Sequence, residues 1–228
     1  VIALGDLAGV WTRSLLLADG VRDETTRVVW LQGATWFADL RQPADLPDFA
    51  HVRGVADLTA ADCRALARQQ GFAGVLVAAG GTVEWVRKID FQPPGRLRDI
   101  GRLTWDGGVL VEHGVEADYL EHWHREGAVA APVAAAAAPN GRLVRAGGHF
   151  MFARGRRSAL PAGETLAEAA QGLDLAALRA LVNCEISFGD VTPDGWVIRR
   201  STLPWRIGSV LALRQLEWVE EEGKQVLF

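Results

Sequence analysis

Between Thr82 and Arg125 the sequence alternates short β-rich runs with tight-turn residues, and this rhythm limits the possible folds more than any other feature. TVEWVRKIDF ends at Pro93-Pro94-Gly95, DIGRLTW and GVLVEHG flank Asp106-Gly107, and YLEHWHR follows. Asp-Gly between alternating apolar runs is a strong hairpin signal, because both turn positions favour positive φ. The pattern continues on either side. RVVWLQ and WFADLR flank Gln32-Gly33-Ala34-Thr35, FAGVLVAA precedes Gly80-Gly81, an alanine-rich run over 128–138 precedes Asn140-Gly141, and CEISFGDV and WVIRRST flank Thr192-Pro193-Asp194-Gly195. A further strand over 142–156 carries a bulge or bend at Gly147-Gly148. Residues 209–228 supply a last long strand and a short terminal one.

Helical signals are few. Thr59 caps TAADCRALARQQ, with Gly71 past its end. Residues 164–183 are predicted helical, interrupted at Gly172, with Asp174 as a fresh N-cap. No strand–helix–strand alternation and no glycine-rich phosphate loop is present, which argues against dinucleotide and P-loop chemistry. The expectation is a mainly β chain: one domain over 1–228, a closed antiparallel meander barrel of about ten strands with two or three short helices, since closure leaves no exposed edges.

Composition matters at three points. The chain is 49% hydrophobic, enough for a substantial core, and its nine tryptophans against one tyrosine fall on nearly every predicted strand. Aromatics so placed either fill a core or line an apolar cavity. Net charge is −4, from 28 acids and 24 bases, and the bases are dispersed, so no nucleic-acid or anionic-membrane partner is expected. The densest basic run, Arg154–Arg157, reads as solvated surface. Cys63 and Cys184 are too few and too distant for a disulfide framework or zinc site, which leaves two reduced thiols in a cytoplasmic protein. No run approaches the ~20 apolar residues of a membrane span, and no basic segment precedes the first apolar stretch, so no secretory signal is read. Abundant alanine and arginine with scarce lysine look like a high-GC bacterial source.

Period-two alternation sorts the polar residues by face. Trp30 and Gln32 share one side of their strand. Phe37, Asp39 and Arg41 share one side of the next, and Val83, Trp85, Arg87 and Ile89 share a third. Glu112 and Glu121 lie on strands beside aliphatic residues and Trp123. A carboxyl in such surroundings has its pKa raised by desolvation and can serve as general acid or base.

Gly9-Val10-Trp11, Trp30-x-Gln32-Gly33, Glu112-x-Gly114 and Glu121-x-Trp123 resemble elements of lipocalin-like (calycin-type) barrels, including a fungal family of paired barrels with no settled enzymatic role. The resemblance implies a barrel about ten strands round whose interior takes one small apolar ligand. On this reading the chain binds a small hydrophobic or aromatic molecule as a monomer or homodimer, with Trp30, Gln32, Asp39, Trp85, Arg87, Tyr119, Trp123 and His149 as the binding residues. The alternative is a cofactor-independent barrel enzyme doing acid–base isomerisation, dehydration or cyclisation, with Glu112 or Glu121 as acid or base and Arg41 orienting the substrate. A third reading starts from His122-Trp123-His124, whose histidines point to one side about 7 Å apart by strand rise. With Gly114 and Glu126 they are similar to a cupin metal motif, Glu112, His113 or His149 being possible further ligands. Gly155, Pro161 and Gly163 are similar to the glycine-proline-glycine part of the second cupin motif. The first glycine lies too far upstream, the glutamate too close, and no histidine follows Gly163, so the ligand-binding barrel is preferred and neither metal nor cofactor is expected.

Overall fold

The computed structural model describes residues 2–128, 131–138, 140–160, 165–214 and 216–219. Turn residues set the course of its first half. β1 (Gly9–Ala18) turns at Asp19-Gly20, both at positive φ, into the short β2 (Val21–Asp23). β3 (Arg27–Gln32) and β4 (Trp36–Gln42) follow as the predicted hairpin. α1 (Ala60–Leu66) opens on Thr59, whose hydroxyl accepts from the Asp62 amide while the Asp62 carboxylate accepts from the Thr59 amide. Then come β5 (Gln70–Ala79), β6 (Thr82–Asp90), β7 (Ile100–Asp106), β8 (Val109–Gly114) and β9 (Tyr119–Glu126). Apart from the short β2, each strand lies antiparallel to the next, and β9 returns to β1, closing a barrel of 8 strands. The β7–β8 turn is the Asp106-Gly107 hairpin, with Gly107 at φ +58.

The sequence pattern predicts about ten strands round; the remaining strands form a second sheet instead. β10 (Val133–Ala138), β11 (Gly141–Ala146), β12 (His149–Arg154), β13 (Glu185–Thr192), β14 (Gly195–Ser201) and β15 (Glu217–Val219) assemble in the order β14-β13-β12-β11-β10-β15. Gly147-Gly148 is not a bulge within one strand. Gly147, at φ +60, turns the chain back between β11 and β12. Between β12 and β13 lie α2 (Leu166–Ala169) and α3 (Leu175–Val182), the latter capped by Asp174. Of the long strand predicted over 209–228, Val210 makes one bridge to Val197 and residues 217–219 pair with β10; residues 220–228 lie outside the described residues. No helix among the described residues is long and apolar enough to cross a membrane.

Three cores follow from the alternation. Inside the barrel are Trp11, Val28, Trp30, Phe37, Phe72, Leu76, Val83, Trp85, Leu110 and Trp123. The opposite faces of β3 and β4, with Val29, Leu31, Ala38 and Leu40, pack against Val144, Met151 and Ile186 of the second sheet and Leu66, Leu178 and Leu181 of the helices. That two-sided burial explains why RVVWLQ is almost continuously apolar. Gly71 permits the close approach, since a Cβ there would lie 2.8 Å from the Asp39 carbonyl and 3.1 Å from Ile186 Cγ1. The far face of the second sheet holds Leu143, Phe150, Trp196 and Ile198.

One surface assignment changes. Arg156, read as solvated, donates to the carbonyls of Leu181, Asp90 and Phe91 and so ties α3 to the end of β6. Cys63 and Cys184 are free and buried, and burial pushes the Cys184 thiol up to about 11, which keeps it unreactive.

Candidate functional site

The barrel has a stopped end and an open one. At the stopped end the 3-10 turn Leu4–Leu7 inserts Leu7, and the Trp11 indole N–H donates to the Leu7 carbonyl at 2.8 Å. Above this floor the indoles contact one another: Trp11 stacks on Trp30 at 5.6 Å, and Trp85 and Trp123 meet Trp30 edge-on at 5.9 and 5.5 Å. Toward the open end lies a cavity of about 180 Å³, lined by Trp30, Trp85, Trp123, Phe72 and Tyr119, and by Asp39, Arg41, Arg87, Asp99, Glu112 and Glu121.

Strand pairing produces this mixture. Trp30 pairs with Asp39, Asp39 with Phe72, Glu112 with Glu121, and Ala18 with Tyr119, so each inward position faces another inward position. Glu121 accepts from Arg13 at 2.6 Å and from Arg41 at 3.0 Å, while Arg41 also donates to Asp39 at 2.8 Å and Arg13 to Asp23 at 2.8 Å. The side chains of Arg13, Asp39 and Glu121 are each 3% exposed, so these ions have left water and depend on one another. Burial lifts the Asp39 carboxyl above its usual range against the pull of Arg41. It would depress the Arg41 guanidinium, but Asp39 and Glu121 outweigh it. Nearer the opening, Arg87 donates to Asp99 at 2.6 Å and Asp90 at 3.3 Å, its guanidinium 3.6 Å over the Phe72 ring.

Glu112 differs from the other carboxylates. Its oxygens accept from the Tyr119 hydroxyl at 2.7 Å and the Trp123 indole N–H at 3.0 Å, and among the described residues it has no ion-pair partner. Gly101 makes room for it, because a Cβ there would lie 2.9 Å from Glu112 Cγ and 3.0 Å from Trp85 Cζ3. Burial pushes the Glu112 carboxyl well above the usual carboxylate range, and the charges of Glu121 and Asp99 push the same way. The Tyr119 phenol is raised by burial and by Glu112 and Asp99. The site therefore combines a buried acid whose pKa burial raises, its phenol and indole donors, and an ion-pair network beside indole faces.

Glu112, Glu121, Arg41, Trp30, Asp39, Trp85, Arg87, Tyr119 and Trp123, singled out from the sequence, all line this one cavity. Gln32 and His149 do not. Gln32 is fully buried near the stopped end, accepting from Trp30 and donating to the carbonyls of Gly33 and Trp36. His149 belongs to the second sheet, bound to Asp190 and stacked on Phe188. His122 and His124 pair with Leu15 and Thr12 on the barrel's outer face, the opposite side of β9 from Glu121 and Trp123, so the cupin-like set is divided by the barrel wall. Among the described residues no group of three or more His, Cys, Asp or Glu is placed to hold a metal ion.

Arg13 was missed because a bulge between Arg13 and Leu15 changes which residues face inward, so no single alternation fits β1. Trp11 and Arg13 face inward before the bulge, Leu16 and Ala18 after it. Phe72 followed from its strand's alternation, had its partners been known. Trp205 and Arg206 lie beside the second sheet, where Arg206 donates to Glu185 at 2.8 Å.

Fold and site together define a closed antiparallel barrel with an internal cavity, joined to a second β-sheet. No family model and no curated protein sequence matches the chain. Among solved structures, the uncharacterized protein YLR301w of Saccharomyces cerevisiae is similar, with a TM-score of 0.50 at 10% identity over 84% of each chain. At that identity the likeness concerns the fold alone.

Proposed function

We propose that the barrel binds one small apolar or aromatic molecule, its ring against the indoles and any polar substituent toward Glu112 and Arg41. The observation that supports this is the 180 Å³ cavity between an indole floor and a polar opening. A cavity of about 150 Å³ accommodates benzene, so a single ring with a short substituent fits. Direct access to three tryptophans, Trp30, Trp85 and Trp123, makes the test simple. Titration of the whole protein with one-ring aromatic compounds should quench or shift indole emission saturably, at one molecule per chain. A panel of such compounds with no saturable response, in fluorescence or calorimetry, would remove the proposal. We further take the barrel and the second sheet to act as one domain, on the ground of their shared core.

A second reading is favoured by one observation, the buried Glu112 carboxyl with the Tyr119 hydroxyl donating to it at 2.7 Å. A carboxyl held protonated near neutral pH can act as general acid without any cofactor. Turnover of a bound compound that disappears in Glu112→Gln would support it, and turnover unchanged in that variant would end it.

A further inference from the structure

Resting on the reading of the cavity as a binding site, we infer that its ligand is a small organic cation, a ring carrying an ammonium group, with the ring against Trp30, Trp85 and Trp123 and the ammonium on Glu112.

The argument begins with which charges are already matched. The lining holds four carboxylates, Asp39, Asp99, Glu112 and Glu121, and two guanidiniums, Arg41 and Arg87. Asp39 and Glu121 hold Arg41, Glu121 also holds Arg13, and Asp99 holds Arg87. Glu112 alone of the four lacks a basic partner among the described residues. An anionic ligand that draws Arg41 or Arg87 off its carboxylate leaves that carboxylate buried and unpaired at considerable cost. A cation breaks nothing and supplies the one missing partner.

The surroundings of Glu112 suit a cation for a second reason. Trp85 lies against it across Gly101, and Trp123 and Tyr119 donate to its two oxygens. Indole faces attract cations through their quadrupole, most strongly where water is displaced. Arg87 covers the Phe72 face and the Arg41 guanidinium lies 5.9 Å from the Trp123 ring centroid, which leaves Trp30 and Trp85 for the ligand's charge.

Binding also has a proton balance. Without a cation beside it, burial holds the pKa of the Glu112 carboxyl up; an ammonium at hydrogen-bond distance favours the carboxylate. The ammonium keeps its protons, the Glu112 carboxyl gives its proton to solvent, and an ion pair forms. One ligand bound near neutral pH therefore releases up to one proton.

Calorimetry of the full chain with benzylammonium, benzyl alcohol and benzoate near pH 7 tests this, each in two buffers of different ionisation enthalpy. Benzylammonium should bind about tenfold or more tighter than benzyl alcohol, with benzoate weakest. Its apparent heat should differ between the buffers, reporting proton release. In Glu112→Gln the preference for the ammonium should collapse and the buffer dependence vanish. Should that variant fail to fold, the ranking and buffer dependence of the unaltered protein still decide. Equal or tighter binding of benzyl alcohol or benzoate, or heat independent of buffer, overturns the cation inference while leaving cavity binding intact. Failure of all three to bind removes both.

Discussion

Glu112 on β8 and Glu121 on β9 stand directly opposite each other inside the barrel, yet only Glu121 is held by guanidiniums. Like charges at facing positions are destabilising. The protein avoids the clash by giving one carboxyl two arginines and the other a phenol and an indole, so that only one of the two needs to be charged.

Stability should fall as pH rises above the ordinary glutamate range. Glu112 has a folded pKa above its unfolded value, as do Asp39 and Asp90, each raised chiefly by burial. Between the two values the folded protein holds a proton that the unfolded chain has lost. The stabilisation is complete below the unfolded pKa and is lost as pH rises to the folded one. Urea denaturation from about pH 5 to about pH 9 should show this decline, and Glu112→Gln should flatten it. A slope unchanged by that substitution would place the effect elsewhere.

Glu121→Gln should destabilise the fold by about 3 kcal/mol, since it leaves Arg13 and Arg41 with one carboxylate each in a buried network. A denaturation midpoint close to that of the unaltered protein would mean the network is better hydrated than its exposures indicate.

Gly101→Ala tests the seating of Glu112. The added methyl meets Glu112 Cγ and the Trp85 ring, so both must shift, at about 1–3 kcal/mol. Ligand affinity should fall several-fold more than in a substitution of equal stability cost at the barrel–sheet interface.

Ile186→Ala removes packing between the second sheet and β3–β4 and should cost about 2–5 kcal/mol. Indole fluorescence and far-ultraviolet circular dichroism should still report one coincident transition. Separate transitions would show that barrel and sheet fold independently.

Replacing His122 and His124 by alanine should leave cavity binding unchanged, because both lie outside the wall. Calorimetry with the tightest one-ring compound measures this directly, and a large loss would contradict the orientation of β9.

The barrel was legible because its strands obey the two-residue period and its turns carry glycine where positive φ is needed, as at Gly107. Asp39 with Arg41, and Trp85 with Arg87, could be grouped on shared faces for that reason, while which face points inward was not legible. Where a bulge intervened, the pattern misled. Lys88 is unpaired between Arg87 and Ile89, so Arg87 enters the cavity while Ile89 joins the outer core, although alternation put them on one face. The division of the hairpins into a closed barrel and a second sheet was not legible, because local signals say where strands turn and not which distant strand completes the ladder. Whether His122 or Trp123 faced inward likewise depended on the register of β9 against β1, a contact more than a hundred residues long in sequence.

Because Leu7 and Trp11 stopper one end, the described residues leave a molecule held within the barrel the opposite end as its doorway, framed by the Arg87–Asp99 pair. Arrival and departure share the same route. With Arg87 33% exposed and Asp99 20%, the frame is within reach of dissolved ions. Ionic strength would then govern how fast a guest comes and goes, while how tightly it is held is decided deeper inside.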